Sequence, residues 1–136
     1  METQYNYNNI QCEVVTKREV MKTKNRSVEQ SLALAGDCDS SCPVQRTAKI
    51  LDGKWTTLIV RDLIGGKKRY SELQRSLSGI SPRLLAARLR LLEQHGILTR
   101  TAYPTVPPTT EYELTTLGYG LCDVIEAMAR FGENLT

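Results

Sequence analysis

The sequence predicts an α+β fold, mainly α, with one small three-stranded sheet. Three neighbouring stretches predict it. The first is Ser81 to Gly96, which reads as a helix bounded at both ends. Ser81 suits an N-cap, Pro82 the first helical position and Gly96 the left-handed residue that closes a helix. Leu85, Leu89 and Leu92 recur at helical spacing, while Arg83, Ala86, Ala87 and Arg90 make the opposite face basic and small. The second is Tyr70 to Leu77, a short helix with Ser71 as its expected cap, joined to the first by a Gly79 turn. The third is Gly96 to Leu114, two strand-like runs around a tip rich in proline. Helix, tight turn, basic helix and hairpin make a winged helix-turn-helix, an arrangement that binds DNA.

The other elements follow in chain order. Residues 1–37 are polar, with five cations balanced by five anions, and are expected to be a flexible N-terminal extension. Within them a short helix from Val28 to Ala35 is compatible with a capping box of Ser27 and Gln30. Met21 is an alternative start. Residues 38–136 are expected to form the winged helix-turn-helix domain. It opens at Cys42-Pro43, with a helical stripe of Val44, Ala48 and Leu51 ended by Gly53. Trp55, Leu58, Ile59, Leu63 and Ile64 predict a second helix, closed by Gly65-Gly66, with Trp55 as a core anchor. Lys68 to Tyr70 is expected as a strand pairing with the wing, and Leu73 and Leu77 bury the helix after it. In the wing, Tyr112 and Leu114 alternate with Glu111 and Glu113. Thr115-Thr116 caps one last helix with the stripe Leu117, Leu121, Val124, Ile125, Met128 and Phe131. So small a domain covers only part of that stripe, so it is expected to pack against the same helix of a second subunit.

Charge and composition narrow the function classes. The net charge of +3 conceals an asymmetry. Gly66 to Arg100 holds eight cations and two anions, and Thr101 to Thr136 one cation and five anions. One face therefore carries the electrostatic footprint of a nucleic-acid binder. No apolar run reaches the ~20 residues of a membrane helix, and the N-terminus has no signal-peptide pattern. The expectation is a cytoplasmic protein with no membrane partner. His95 is the sole histidine, and there is neither a Gly-rich phosphate loop nor a metal-binding His pair, so no enzyme and no cofactor are expected. The alternative enzyme class is a thiol-based redox catalyst. Among Cys12, Cys38, Cys42 and Cys122, the spacing of Cys38 and Cys42 is a weak zinc signal, and no metal site is expected.

Cys42-Pro43, Leu51-Asp52-Gly53-Lys54-Trp55, Arg69-Tyr70-Ser71-Glu72-Leu73, Gly79-Ile80-Ser81, Leu89 to Glu93, Gly96-Ile97-Leu98, Val106-Pro107-Pro108, Glu111 to Thr115 and Gly118 occur in ordered succession. In this the chain resembles the HxlR-type winged helix-turn-helix regulators, relatives of the MarR type, from Cys42 to about Phe131. The resemblance implies a homodimeric transcriptional regulator on a palindromic double-stranded operator, with N- and C-terminal helices forming the dimer. It also implies, for Cys42 alone, the oxidant- or electrophile-sensing position of several members. Three positions depart from the family pattern. Thr109 and Thr110 stand where Arg and Val are usual, which removes a cation from the wing, and Phe131 stands where Trp is frequent.

The expected DNA contacts are Arg69, Ser71, Ser81, Arg83, Ala87, Arg88, Arg90 and Thr109. Arg83, near the helix start, is the candidate for base readout, since a bidentate Arg–guanine contact discriminates by roughly 1–3 kcal/mol. Arg90, deeper on the same face, is assigned to phosphate. Arg88, at the edge of the leucine stripe, either snorkels to a phosphate or satisfies a carboxylate. Cys42 is expected at a helix start, where partial positive charge favours thiolate. Either Cys38 or a cysteine of the other subunit then resolves its oxidised form; the plainer alternative is a buried structural thiol. The expected dimer face comprises Val44, Leu117, Leu121, Val124, Ile125, Met128 and Phe131. A further alternative is a small-ligand-responsive regulator with Trp55, Tyr103 and Tyr119 around a cleft.

Overall fold

The computed structural model describes residues 42–135. The expectations placed on residues 1–37, on a Val28–Ala35 helix, and on Cys12 and Cys38 lie outside them. In chain order the elements are α1 (Pro43–Ile50), α2 (Lys54–Ile64), β1 (Lys68–Arg69), α3 (Tyr70–Ser76), α4 (Pro82–Gln94), β2 (Leu98–Tyr103), β3 (Thr109–Leu114), α5 (Thr116–Tyr119) and α6 (Cys122–Glu133). The antiparallel sheet has the order β1-β3-β2. Its register pairs Leu98 with Leu114, Arg100 with Tyr112 and Arg69 with Glu111. This is a mainly helical winged helix-turn-helix with a three-stranded wing sheet.

The core lies where α2, α3 and α4 meet the inner face of the sheet. Ile59, Leu63, Leu73, Leu85 and Leu92 have no exposed surface, and Leu89 and Leu98 are almost as deeply buried. Each leucine so buried contributes about 1.5–3 kcal/mol. Thr56 is buried too, its hydroxyl satisfied by the Asp52 carbonyl at 2.9 Å.

α4 has the ends its sequence announces. The Ser81 hydroxyl accepts from the Leu84 N–H at 3.2 Å, and Pro82 occupies the first turn. After His95 the chain turns through Gly96 at φ 70°. The Ile97 N–H donates to the Leu92 carbonyl at 2.9 Å, and the Gly96 N–H to Glu93 at 3.0 Å. These two bonds satisfy carbonyls that a helix end leaves orphaned.

Four local expectations are corrected. Ser71 is not a cap: α3 starts two residues earlier than that cap implies, at Tyr70, and Arg69 holds the cap position. The Glu72 carboxylate reaches back to the Arg69 N–H at 2.7 Å, which does the work expected of a serine. Tyr70 therefore belongs to the helix and β1 is two residues long. Gly53, expected to end the first helix, instead caps α2 at φ 82°, because α1 already stops at Ile50. The C-terminal helix is also not continuous. Thr115 caps α5, which ends at Tyr119 with Gly120 as its C-cap, and α6 begins at Cys122.

Candidate nucleic-acid interface

The helix-turn-helix is held by side-chain bonds that run between its parts. The Tyr70 hydroxyl, at the start of α3, donates to the Pro82 carbonyl at the start of α4, at 2.9 Å. Burial, with a smaller contribution from Tyr112, raises that hydroxyl above its usual value of 10.0, so it remains a neutral donor. The Gln74 amide donates to the Ile80 carbonyl in the intervening turn at 2.8 Å. At the far end of α3 the Ser76 hydroxyl bonds the Asp62 carboxylate of α2. Asp62 is buried, and Arg61 satisfies it through Nε at 3.0 Å and Nη2 at 2.7 Å. A carboxylate at such depth is tolerated only when paired and hydrogen-bonded.

So braced, α4 turns its leucines inward and exposes Arg83, Ala87 and Arg90. The two arginines and the small residue between them share an outward face narrow enough for the DNA major groove, which admits an α-helix. Ser81 is exposed at the foot of this face, and its hydroxyl is engaged as the cap. Arg88 leaves the face. It is half-buried, and its guanidinium lies beside Gly53, such that a Cβ there would sit 3.4 Å from Nη2. Ser71 is exposed on α3, with its carbonyl accepting from Arg75 Nε at 3.4 Å. Arg69 pairs across the sheet with Glu111 at 3.9 Å, and Lys67 approaches the same carboxylate at 3.6 Å. In the wing, the Thr109 hydroxyl lies 3.1 Å from that of Thr105, and the Val106–Pro107 bond is cis.

Residues 50–136 match the HxlR-like helix-turn-helix family. The chain belongs to that family. It is 42% identical over 93 residues to the uncharacterized HTH-type transcriptional regulator sll1512 of Synechocystis, covering 68% of this chain and 69% of that one. A solved structure described as a MarR-family transcriptional regulator from Porphyromonas gingivalis W83 superposes with a TM-score of 0.71. It has 38% identity and covers 74% of this chain and 98% of that one. The oxidised form of the redox regulator HypR superposes with a TM-score of 0.65 at 39% identity, covering 70% of this chain and 98% of that one. This HxlR-type chain is thus one of a group of DNA-binding helix-turn-helix transcriptional regulators, which are not enzymes. Among its described residues no helix is long and apolar enough to cross a membrane.

The HxlR-type chain also exposes large apolar side chains outside α4. Val44 of α1, Leu117 of α5, and Met128 and Phe131 of α6 are 59%, 63%, 48% and 67% exposed. Leu121 and Val124 are half-buried. Ile125, grouped with these in the sequence stripe, is 5% exposed and packs into the chain's own core, so it is not offered to a second subunit. Cys42 is the N-cap of α1 and half-buried; Cys122 is buried. Neither the α2–α6 cleft nor the one between α4 and the wing is lined by Trp55, Tyr103 or Tyr119. Trp55 lies near Gly79, and the Tyr103 hydroxyl bonds Glu111 at 3.2 Å. The α2–α6 cleft is apolar, about 360 Å³, and opens between Thr57, Leu58 and Arg61 of α2 and Ile125, Met128, Ala129, Gly132 and Glu133 of α6.

Three participants escaped sequence reading. The pair Arg61-Asp62 interrupts an otherwise apolar run from Leu58 to Ile64, which is the signal that could have marked Asp62 as a buried bracing carboxylate. Tyr70 and Arg100 carry no local signal, because their partners lie 12 residues away in the case of Tyr70 and across the sheet register in the case of Arg100.

Proposed function

We propose that the chain is a homodimeric, sequence-specific transcriptional regulator that reads a palindromic operator with one α4 from each copy. The observation that carries this is the exposed Arg83–Ala87–Arg90 face, set on a helix fixed at its start by Ser81 and Tyr70. The exposed apolar side chains on α1, α5 and α6 support the homodimer, since a second copy would cover them. Sequencing the genomic fragments that the full chain retains tests the reading. Enrichment of one palindrome is expected, and uniform retention would refute it.

The wing makes a weak contribution in this chain. Thr109→Arg restores a cation beside the tip. It is expected to tighten binding to any duplex and to steepen the log–log salt dependence by about 0.9 for one added phosphate contact. Fluorescence anisotropy over a salt series checks this.

Cys42 is proposed as the sensing thiol. Its place at the start of α1, two residues before the exposed Val44, supports a link between thiol state and subunit packing, as does likeness to HypR, described as a redox regulator. A hydroperoxide transfers one oxygen to the Cys42 thiolate, giving the sulfenic acid and releasing the alcohol as the peroxide O–O bond breaks. A second thiolate, from Cys38 or from the other subunit, attacks that sulfur and expels hydroxide, forming the disulfide. The wild type is expected to change operator affinity about 5–150-fold on oxidation, the usual span of allosteric coupling, and Cys42→Ser to change by less than twofold. An equal response in Cys42→Ser rejects the assignment. The small-ligand alternative draws on one observation, the apolar α2–α6 cleft, and is distinguished by an affinity change that survives in Cys42→Ser.

A further inference from the structure

The basic surface does not end at the exposed face of α4. Between α4 and the wing runs a cleft of about 340 Å³ lined by Ala86, Arg90, Glu93, Arg100 and Tyr112. The sheet register explains how Arg100 reaches it. Residues alternate between the faces of a strand. Arg100, opposite Tyr112, therefore shares a face with Leu98, opposite Leu114. Leu98, Tyr112 and Leu114 are buried, so this is the face turned toward the helices. Arg100 follows Leu98 outward on it and is exposed where the core ends. Arg90 enters the cleft from the helix side.

The two guanidiniums differ from several other cations of the chain. Arg61 is paired with Asp62, Lys67 and Arg69 with Glu111, and Arg130 with Glu126. Among the described residues neither Arg90 nor Arg100 forms an ion pair, and Glu93 in the same cleft forms none either. Two cations and one anion leave the cleft with one net positive charge, open to solvent.

The geometry points to a phosphodiester slot: Arg90 and Arg100 hold, from opposite walls, the sugar–phosphate ridge that separates the major groove entered by α4 from the minor groove beside it. This rests on the DNA-binding reading above and extends it. A helix in the major groove and a wing directed at the neighbouring minor groove must straddle the one backbone between them, and the cleft is a gap between those two elements that cations line from both sides. Glu93 lowers the attraction for lone anions and for backbone that does not seat fully, because a partly seated phosphate meets the carboxylate without both arginines. Such contacts fix register and orientation while carrying no sequence information.

The test is fluorescence anisotropy of the full chain on its operator and on a random duplex over a salt series. Wild type, Arg100→Ala, Arg90→Ala and Glu93→Gln are compared, with thermal melts to confirm folding. Arg100→Ala and Arg90→Ala are each expected to weaken both duplexes by a similar factor and to lower the salt slope by about 0.9. Glu93→Gln is expected to tighten both. Inorganic phosphate at constant ionic strength is expected to leave binding unchanged, and competition by phosphate would mark the cleft as a small-anion site and overturn the slot. An unchanged slope in folded Arg100→Ala, with wild type still binding its operator, overturns the slot and leaves the DNA-binding reading standing. A wild type that binds neither duplex overturns both.

Discussion

Gly118→Ala is expected to destabilise the domain by about 3 kcal/mol, the upper end for overpacking, and to lower its Tm by more than about 12 °C. A Cβ at this position would lie 2.0 Å from the Ile97 carbonyl oxygen and 3.1 Å from Leu114 Cδ2. The Ile97 carbonyl is not free to retreat. It accepts from the Thr115 N–H at 3.0 Å and from the Thr115 hydroxyl at 3.2 Å, and that same hydroxyl accepts from the Gly118 N–H at 3.1 Å. The clash therefore strikes the junction that joins the end of α4, the root of the wing and α5. Gly132→Ala is the control. Nothing lies within 4 Å of its added Cβ, and alanine in a helix is favoured over glycine by roughly 0.5–1 kcal/mol. A circular dichroism melt of each checks the pair, and an unchanged Tm in Gly118→Ala contradicts the packing at this junction.

Arg83→Ala is expected to weaken operator binding by about 1–3 kcal/mol, or roughly 5–150-fold, through loss of a base contact. Binding to random duplex should fall far less, and thermal stability should stay constant because Arg83 is exposed outside the core. The ratio of operator to random affinity is the informative quantity. This sets Arg83 apart from Arg100, whose removal should leave that ratio intact. A ratio unchanged in Arg83→Ala assigns it to phosphate and moves base readout elsewhere on α4.

Much of this was legible because it is local. Ser81, Pro82 and Gly96 fix the ends of α4 through bonds to residues three to five positions away, so the sequence displays them directly. The hairpin was legible from the alternation of Tyr112 and Leu114 with two glutamates, which the structure shows as buried and outward positions of β3. Ser71 misled because a glutamate three residues beyond Arg69 is an equally good partner for an orphan N–H, and composition alone does not rank the two. The C-terminal stripe misled differently. Helical spacing runs on through Leu117, Leu121 and Ile125 although Gly120 ends α5, so periodicity hid the break. Periodicity also leaves open what covers an apolar residue. Ile125 and Met128 share a stripe, yet the first completes the chain's own core and the second is half exposed. The α4–wing cleft was invisible for a third reason: Arg90 and Arg100 meet only through the sheet register and the packing of β2 on α4.

The most direct measurement combines the mass of the complex with hydroxyl-radical footprinting on a selected operator. Two copies of α4 on one face of DNA should give two chains per duplex and two protected half-sites centred about 34–36 Å apart, one helical turn. One chain per duplex, or protection spread evenly along the DNA, would contradict it.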